Sequence, residues 1–153
     1  MKRLPFFVYG TLLPDQPNYD LIVKESIEQR RAYFPDGRLY DLGPFPMLLE
    51  GSGGLVKGIL YSINEADYPI ILHRLDALEG FNPRNPSAGD FRRVERLVNL
   101  VSGSSIMAWV YIGKPASIRG ARLILSGDWI AYSSENKDKL VEWWVNWRIG
   151  KSG

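Results

Sequence analysis

The chain has 153 residues, 45% hydrophobic and 24% charged, and its 19 basic and 17 acidic residues leave a net charge of +2. This length and composition predict a single globular domain over residues 1–153 that builds its own core. The chain has no cysteine and one histidine, which excludes disulfides and an ordinary zinc site, and the balanced charge does not indicate a nucleic-acid partner.

The first half of the chain predicts short strands and one helix. Residues 5–9 form a buried strand that ends at Gly10. The proline and glycine that interrupt this apolar stretch argue against a signal peptide, and we expect a cytoplasmic protein with no membrane partner. Apolar residues at helical spacing predict a helix over residues 18–31, and further strands are expected at 37–43 and 55–63.

The second half predicts a helix with Pro69 in its first turn and a stop at Gly80. Two strands, 92–101 and 105–113, form a hairpin, and the basic stretch within residues 91–96 is expected to be a solvated strand face. Residues 128–132 are expected to form a short strand or turn. A final helix capped by Ser134 follows, with its tryptophans forming core or a homodimer contact; these are Trp143, Trp144 and Trp147. The consecutive strands indicate an α+β fold with an antiparallel or mixed sheet, either open or closed into a barrel.

Nucleophilic catalysis is disfavoured, because the chain lacks cysteine and a G-x-S-x-G motif and its single histidine is His73. Two other features point to chemistry. The first is the junction Tyr9–Leu12, where successive backbone amides and the Thr11 hydroxyl can bind an anion. The alternative is an ordinary strand-to-turn junction.

The second feature is Glu79, at the C-terminal end of the predicted helix. The helix dipole disfavours a carboxylate there by about 0.3–1 kcal/mol, and Asp76, one turn earlier, adds like-charge repulsion. Both effects should raise the pKa of Glu79 towards neutrality, which suits a general base that later acts as an acid. The alternative is a solvent-exposed glutamate without a role.

The ordered motifs VYGTL, GRLYDLGPFPML, VKGILYSI, LDALEG, FRRVERLV, AWVYI and SGDWIAY resemble the gamma-glutamylcyclotransferase-like family, which includes the AIG2-like proteins. The resemblance covers residues 6–132. It implies a small mixed, mostly antiparallel β-barrel with two or three packed helices. It also implies a cyclotransferase that closes a gamma-glutamyl amide to 5-oxoproline and releases an amine or amino acid.

The resemblance further implies that Glu79 is the catalytic base and acid, and that Tyr9, Gly10, Thr11 and Leu12 bind a small-molecule gamma-glutamyl substrate. No cofactor or metal is expected, and the protein is expected to be a monomer or homodimer. Tyr111 faces either the substrate cavity or the barrel core, and the polar stretch 82–90 is expected to form a lid or rim. The alternative function is a non-catalytic protein that binds a small carboxylate in the same cavity.

Overall fold

The computed structural model of the protein describes residues 2–135. Six strands and one complete α-helix make up its main elements: β1 (Phe6–Val8), β2 (Ser26–Asp41), β3 (Pro46–Ile63), α1 (Tyr68–Glu79), β4 (Phe91–Leu100), β5 (Ser105–Gly113) and β6 (Arg122–Ile124). Short 3-10 helices occupy Tyr19–Leu21, Val23–Glu25, Glu65–Asp67 and Pro115–Ile118. The predicted tryptophan-rich helix lies outside the described residues from position 136 onwards.

Five strands close into a barrel in the order β1, β5, β4, β2, β3, and β3 pairs back with β1. Only the β1–β5 pair is parallel among the barrel pairs that the structure describes, and β6 extends the far end of β2. One core cluster draws on all five barrel strands, and a second contains the buried face of α1. The predicted mixed, mostly antiparallel barrel with packed helices is therefore confirmed.

Helix α1 forms where the sequence predicts it. Pro69 lies in its first turn, and Ile71, Leu72 and Leu75 are buried. Gly80 ends the helix in the left-handed conformation with φ 70°, which a residue without a side chain adopts at little cost. This stop places Glu79 in the last turn of the helix.

The helix expected over residues 18–31 is wrong. Two 3-10 turns end at Glu25, and β2 begins at Ser26, which pairs with Ile63 at the end of β3. Strand pairing supplies hydrogen bonds to a segment that has only a few apolar residues at helical spacing, so tertiary context overrides local propensity. Ile27, which the helix would have buried, is 71% exposed.

The strand or turn expected at residues 128–132 is also wrong, because a helix begins at Trp129. The Asp128 carboxylate accepts a hydrogen bond from the Ala131 amide at 3.1 Å, which is the usual arrangement at a helix N-terminus. Ser134 lies within this helix and does not cap its start.

Candidate active site

All six residues that the sequence singled out line one cavity of about 290 Å³: Tyr9, Gly10, Thr11, Leu12, Glu79 and Tyr111. The other lining residues are mostly apolar: Val8, Pro17, Asn18, Pro44, Phe45, Pro46, Leu78 and Phe91. The stretch 82–90, expected as a lid or rim, contributes no lining residue. The structure thus brings the two predicted features, the loop after β1 and the end of α1, to the same cavity.

The loop after β1 presents backbone amides without partners. A turn closes between the Leu13 amide and the Gly10 carbonyl at 3.0 Å. Within residues 2–135, the amides of Gly10, Thr11 and Leu12 donate no hydrogen bond to another protein group. Consecutive free amides of this kind can bind an anion such as a carboxylate.

Asn18 holds this loop in place through two contacts with Thr11. Its side-chain amide donates to the Thr11 hydroxyl at 2.9 Å, and its backbone amide donates to the Thr11 carbonyl at 2.9 Å. Because the hydroxyl oxygen accepts from Asn18, the hydroxyl proton is left to point elsewhere. Thr11 can therefore donate a hydrogen bond to a ligand in the cavity.

Gly10 is required here for space. A Cβ atom at this position would lie 2.8 Å from Cγ and 2.9 Å from Cδ of Pro46, closer than real Cβ contacts. Close packing against β3 is therefore the reason for a glycine at this position. A larger side chain at Gly10 has to push the loop or Pro46 away.

The Tyr9 hydroxyl forms two hydrogen bonds within the protein. It donates to the Tyr111 carbonyl at 2.6 Å and accepts from the Leu48 amide at 3.3 Å. Burial, with a further effect of the nearby Glu79 charge, raises the pKa of Tyr9 well above its usual value. Tyr9 is thus one of the residues that line the cavity, and its hydroxyl ties the loop to β3 and β5.

Glu79 is partly buried at the cavity, and no group within residues 2–135 forms a hydrogen bond or ion pair with its carboxyl. Removal from water raises the pKa of Glu79 to about 7. The direction agrees with the sequence prediction, but the cause differs. Repulsion by Asp76 is not among the causes, because Asp76 is paired with Arg93. Glu79 can therefore exchange a proton near neutral pH.

The pair of Asp76 and Arg93 is the part of the site that the sequence did not predict. Arg93 was expected on a solvated strand face, but its side chain is only 11% exposed. It donates to both Asp76 carboxylate oxygens, and Tyr111 donates to the same carboxylate. A burial signal is present in the sequence, because Asp76 lies four residues after Leu72 and therefore shares its apolar face of α1.

Residues 2–135 contain neither a cluster of metal-binding side chains nor a helix that could span a membrane. No three histidine, aspartate or glutamate side chains are placed there to share a metal ion. The helices in this part of the chain are all too short or too polar to cross a bilayer.

A family profile described as "Gamma-glutamyl cyclotransferase, AIG2-like" matches residues 6–131. A protein of Halalkalibacterium halodurans named as a proposed gamma-glutamylcyclotransferase is 39% identical over 111 residues, which are 71% of this chain and 90% of the relative. A protein of Vibrio cholerae serotype O1 with the same proposed activity is 32% identical over 123 residues, 80% of this chain and 92% of the relative.

Among solved structures, the fold is similar to that of YkqA from Bacillus subtilis, with a TM-score of 0.67 and 22% identity. The match covers 90% of this chain but only 43% of YkqA, so the chain spans less than half of that protein. This likeness concerns the fold.

Proposed function

The chain belongs to the AIG2-like gamma-glutamyl cyclotransferase family, and we propose that its cavity converts a gamma-glutamyl amide into 5-oxoproline and a free amine. One observation carries the proposal. The unpaired Glu79 carboxyl shares a cavity with three backbone amides that have no partner within residues 2–135. An acid–base group and an anion site are the two parts that this reaction needs from the protein.

The loop after β1 binds the substrate in this proposal. The amides of Gly10, Thr11 and Leu12 and the Thr11 hydroxyl hold the alpha-carboxylate, which needs no lysine or arginine. The apolar walls around Phe45 exclude water from the reacting groups, which strengthens the polar contacts that remain. Binding thereby fixes the alpha-amino group near the gamma-carbonyl carbon, and closure of a five-membered ring gains from this high effective concentration.

Glu79 moves the protons. As a carboxylate it takes a proton from the alpha-ammonium group, and the freed amine attacks the gamma-carbonyl carbon to give a tetrahedral intermediate. Glu79 then donates a proton to the leaving nitrogen, and the amide carbon–nitrogen bond breaks. The attacking nitrogen loses two protons in total, and the leaving amine gains two and departs as an ammonium ion. A pKa of about 7 allows the same carboxyl to accept and donate at neutral pH.

The test is incubation of the protein with a panel of gamma-glutamyl amines and gamma-glutamyl amino acids, with 5-oxoproline measured by mass spectrometry. Glu79→Gln should abolish product formation, and Asp20→Asn, which neutralises an exposed carboxylate outside the cavity lining, should not. The alternative, a protein that binds small carboxylates without turnover, predicts that panel compounds bind but give no 5-oxoproline. Product formation that survives in Glu79→Gln contradicts the proposed mechanism.

A further inference from the structure

Among residues 2–135, Asp76 is the one charged residue that is buried, with 6% of its surface exposed. The proposed reaction does not use it. It lies on α1 one turn before Glu79. Its carboxylate accepts from Arg93 at both oxygens, with Nε to Oδ1 at 2.8 Å and Nη2 to Oδ2 at 3.2 Å. This two-point contact fixes the orientation of the carboxylate as well as its charge.

The guanidinium group of Arg93 is itself in contact with two aromatic rings. The group lies 4.3 Å from the ring centre of Trp109 and 5.4 Å from that of Phe81. The Trp109 indole in turn donates to the Tyr68 hydroxyl at 3.0 Å. Such stacking restricts the arginine, so the carboxylate of Asp76 faces one direction.

That direction is towards Tyr111. Arg93 and Tyr111 are cross-strand partners in β4 and β5, so both side chains leave the same face of the sheet. The Tyr111 hydroxyl donates to Oδ1 of Asp76 at 2.7 Å. Burial, followed by the Asp76 charge, raises the pKa of Tyr111, which therefore keeps its proton at neutral pH.

A hydroxyl group has one proton and two acceptor lone pairs. Because the Tyr111 proton is committed to Asp76, the oxygen can offer the cavity only acceptor positions. We propose that Asp76 and Arg93 are positioning residues that hold the Tyr111 hydroxyl as a hydrogen-bond acceptor for the alpha-ammonium group of the substrate. The identity of that group as an ammonium rests on the proposed function.

The proposed contact has a chemical consequence. An ammonium group that donates one N–H to Tyr111 and another to Glu79 is held at two points. Glu79 then removes the proton that faces it, while the N–H that faces Tyr111 stays hydrogen-bonded to the hydroxyl oxygen. The bound geometry then directs the nitrogen lone pair. A tyrosine whose proton is not held by Asp76 would first have to turn that proton away from the cavity before it could accept from the ammonium.

The test compares the binding of two probes that differ only in the alpha-amino group, gamma-L-glutamyl ethylamide and N-ethylglutaramate. Calorimetry on the full chain carrying Glu79→Gln measures both dissociation constants without turnover. We expect the amino probe to bind more tightly. In Tyr111→Phe this preference should fall by at least about tenfold, as expected for a hydrogen bond to a charged group.

The variants of the buried pair test the positioning role. Asp76→Leu combined with Arg93→Met removes both charges together, because removal of one partner would leave a buried unpaired charge. It frees the Tyr111 proton and should lower the preference, though by less than Tyr111→Phe does, because a free hydroxyl can still accept a hydrogen bond. The control is Glu50→Gln. It disrupts an exposed two-point pair with Arg96, which lies on β4 as Arg93 does, and it should leave the preference unchanged.

Circular dichroism shows whether the double variant folds. If it does not fold, a second variant tests the positioning role. Arg93→Lys keeps the positive charge but loses the two-point hold on Asp76. It should lower the preference by several-fold when Tyr111 is present and have no further effect in Tyr111→Phe, because positioning acts through the hydroxyl. A purely structural role predicts the same loss in both backgrounds and contradicts the inference.

The outcomes separate this inference from the proposed function. A preference that is missing in the Glu79→Gln protein, or unchanged in Tyr111→Phe, overturns the inferred contact. A preference that falls in Tyr111→Phe but not in the variants of the pair overturns the positioning role. A clear preference in a protein that forms no 5-oxoproline with its Glu79 intact contradicts only the proposed function.

Discussion

The burial of Glu79 should make the protein less stable above neutral pH than it would be with a neutral side chain. The pKa of this carboxyl rises from 4.5 to about 7 on folding. At about 1.36 kcal/mol for each pH unit, a shift of this size corresponds to about 3 kcal/mol of folding free energy, and partial contact with water makes this an upper bound. Glu79→Gln removes the titration while keeping nearly the same shape.

The sign of this stability effect follows from the direction in which folding shifts the pKa of Glu79. The folded state favours the protonated carboxyl, so this contribution to stability is fully present below the unfolded pKa of 4.5. It is lost as the pH rises through about 7. The glutamine variant should therefore gain stability relative to the wild type across this interval, and the difference should level off at no more than about 3 kcal/mol above neutral pH.

Urea unfolding of both proteins at a series of pH values measures this difference. Other titrating groups cancel when the two proteins are compared at the same pH, provided that the dependence on urea is unchanged. Asp20→Asn, which removes an exposed carboxylate outside the cavity lining, is measured in parallel as the control for loss of a carboxylate elsewhere on the protein. A difference for Glu79→Gln that is constant with pH, or that decreases as the pH rises, would refute the assignment of a buried, raised carboxyl.

Four further outcomes are expected from the proposed mechanism. Glu79→Gln should lower kcat by about 100-fold or more, because acid–base catalysis contributes about 10²–10⁴-fold; a variant with a tenth of the wild-type rate would contradict this role. The acidic limb of kcat/KM should lie near the Glu79 pKa of about 7, since the carboxylate form is the base, and a limb near 4.5 would count against it. In the Glu79→Gln protein, Thr11→Val should weaken binding of gamma-L-glutamyl ethylamide by about 2–10-fold through loss of one hydroxyl donor, and Gly10→Val should weaken it further through its clash with Pro46; equal effects in a calorimetric assay would contradict this. Because none of the lining residues within residues 2–135 is a lysine, arginine or histidine, gamma-glutamyl conjugates of uncharged amines should give higher kcat/KM than those of acidic amino acids, and the reverse order in the product assay would contradict this interpretation.

Local sequence signals predicted the elements whose residues determine their own structure. Helix α1 has a proline at its start, an apolar stripe and a glycine stop, and the hairpin of β4 and β5 has a glycine–serine turn between alternating strands. Residues 18–31 have weaker local signals, both for a helix and for a strand. Their strand depends on pairing with the end of β3, for example Ser26 with Ile63, and such a distant pairing has no local signature in the sequence.

The same distinction applies to the candidate site. Glu79 is predicted from the sequence because a carboxylate at the C-terminal end of a helix is disfavoured. The loop at Gly10 is predicted because successive backbone amides can bind an anion, and the family resemblance points to the same positions. The contact between Asp76 and Arg93 depends on how α1 docks against β4, and its link to Tyr111 depends on the β4–β5 register. Neither docking nor register can be obtained from the composition of the stretch around Arg93, so that arginine looked like a surface residue.

The hydrogen bond from the Tyr9 hydroxyl to the Tyr111 carbonyl joins residues 102 positions apart. Strand β1 has three residues, and its neighbours in the barrel, β3 and β5, both follow it in the chain. During translation the loop after β1 therefore leaves the ribosome first, and it meets β3 before it meets β5, so its contacts are incomplete until β5 has emerged. A nascent chain released before that point contains every residue of the anion loop and the Glu79 base, yet it lacks the strand that brings them together. The cavity is thus expected to appear late and in one step, as the barrel closes.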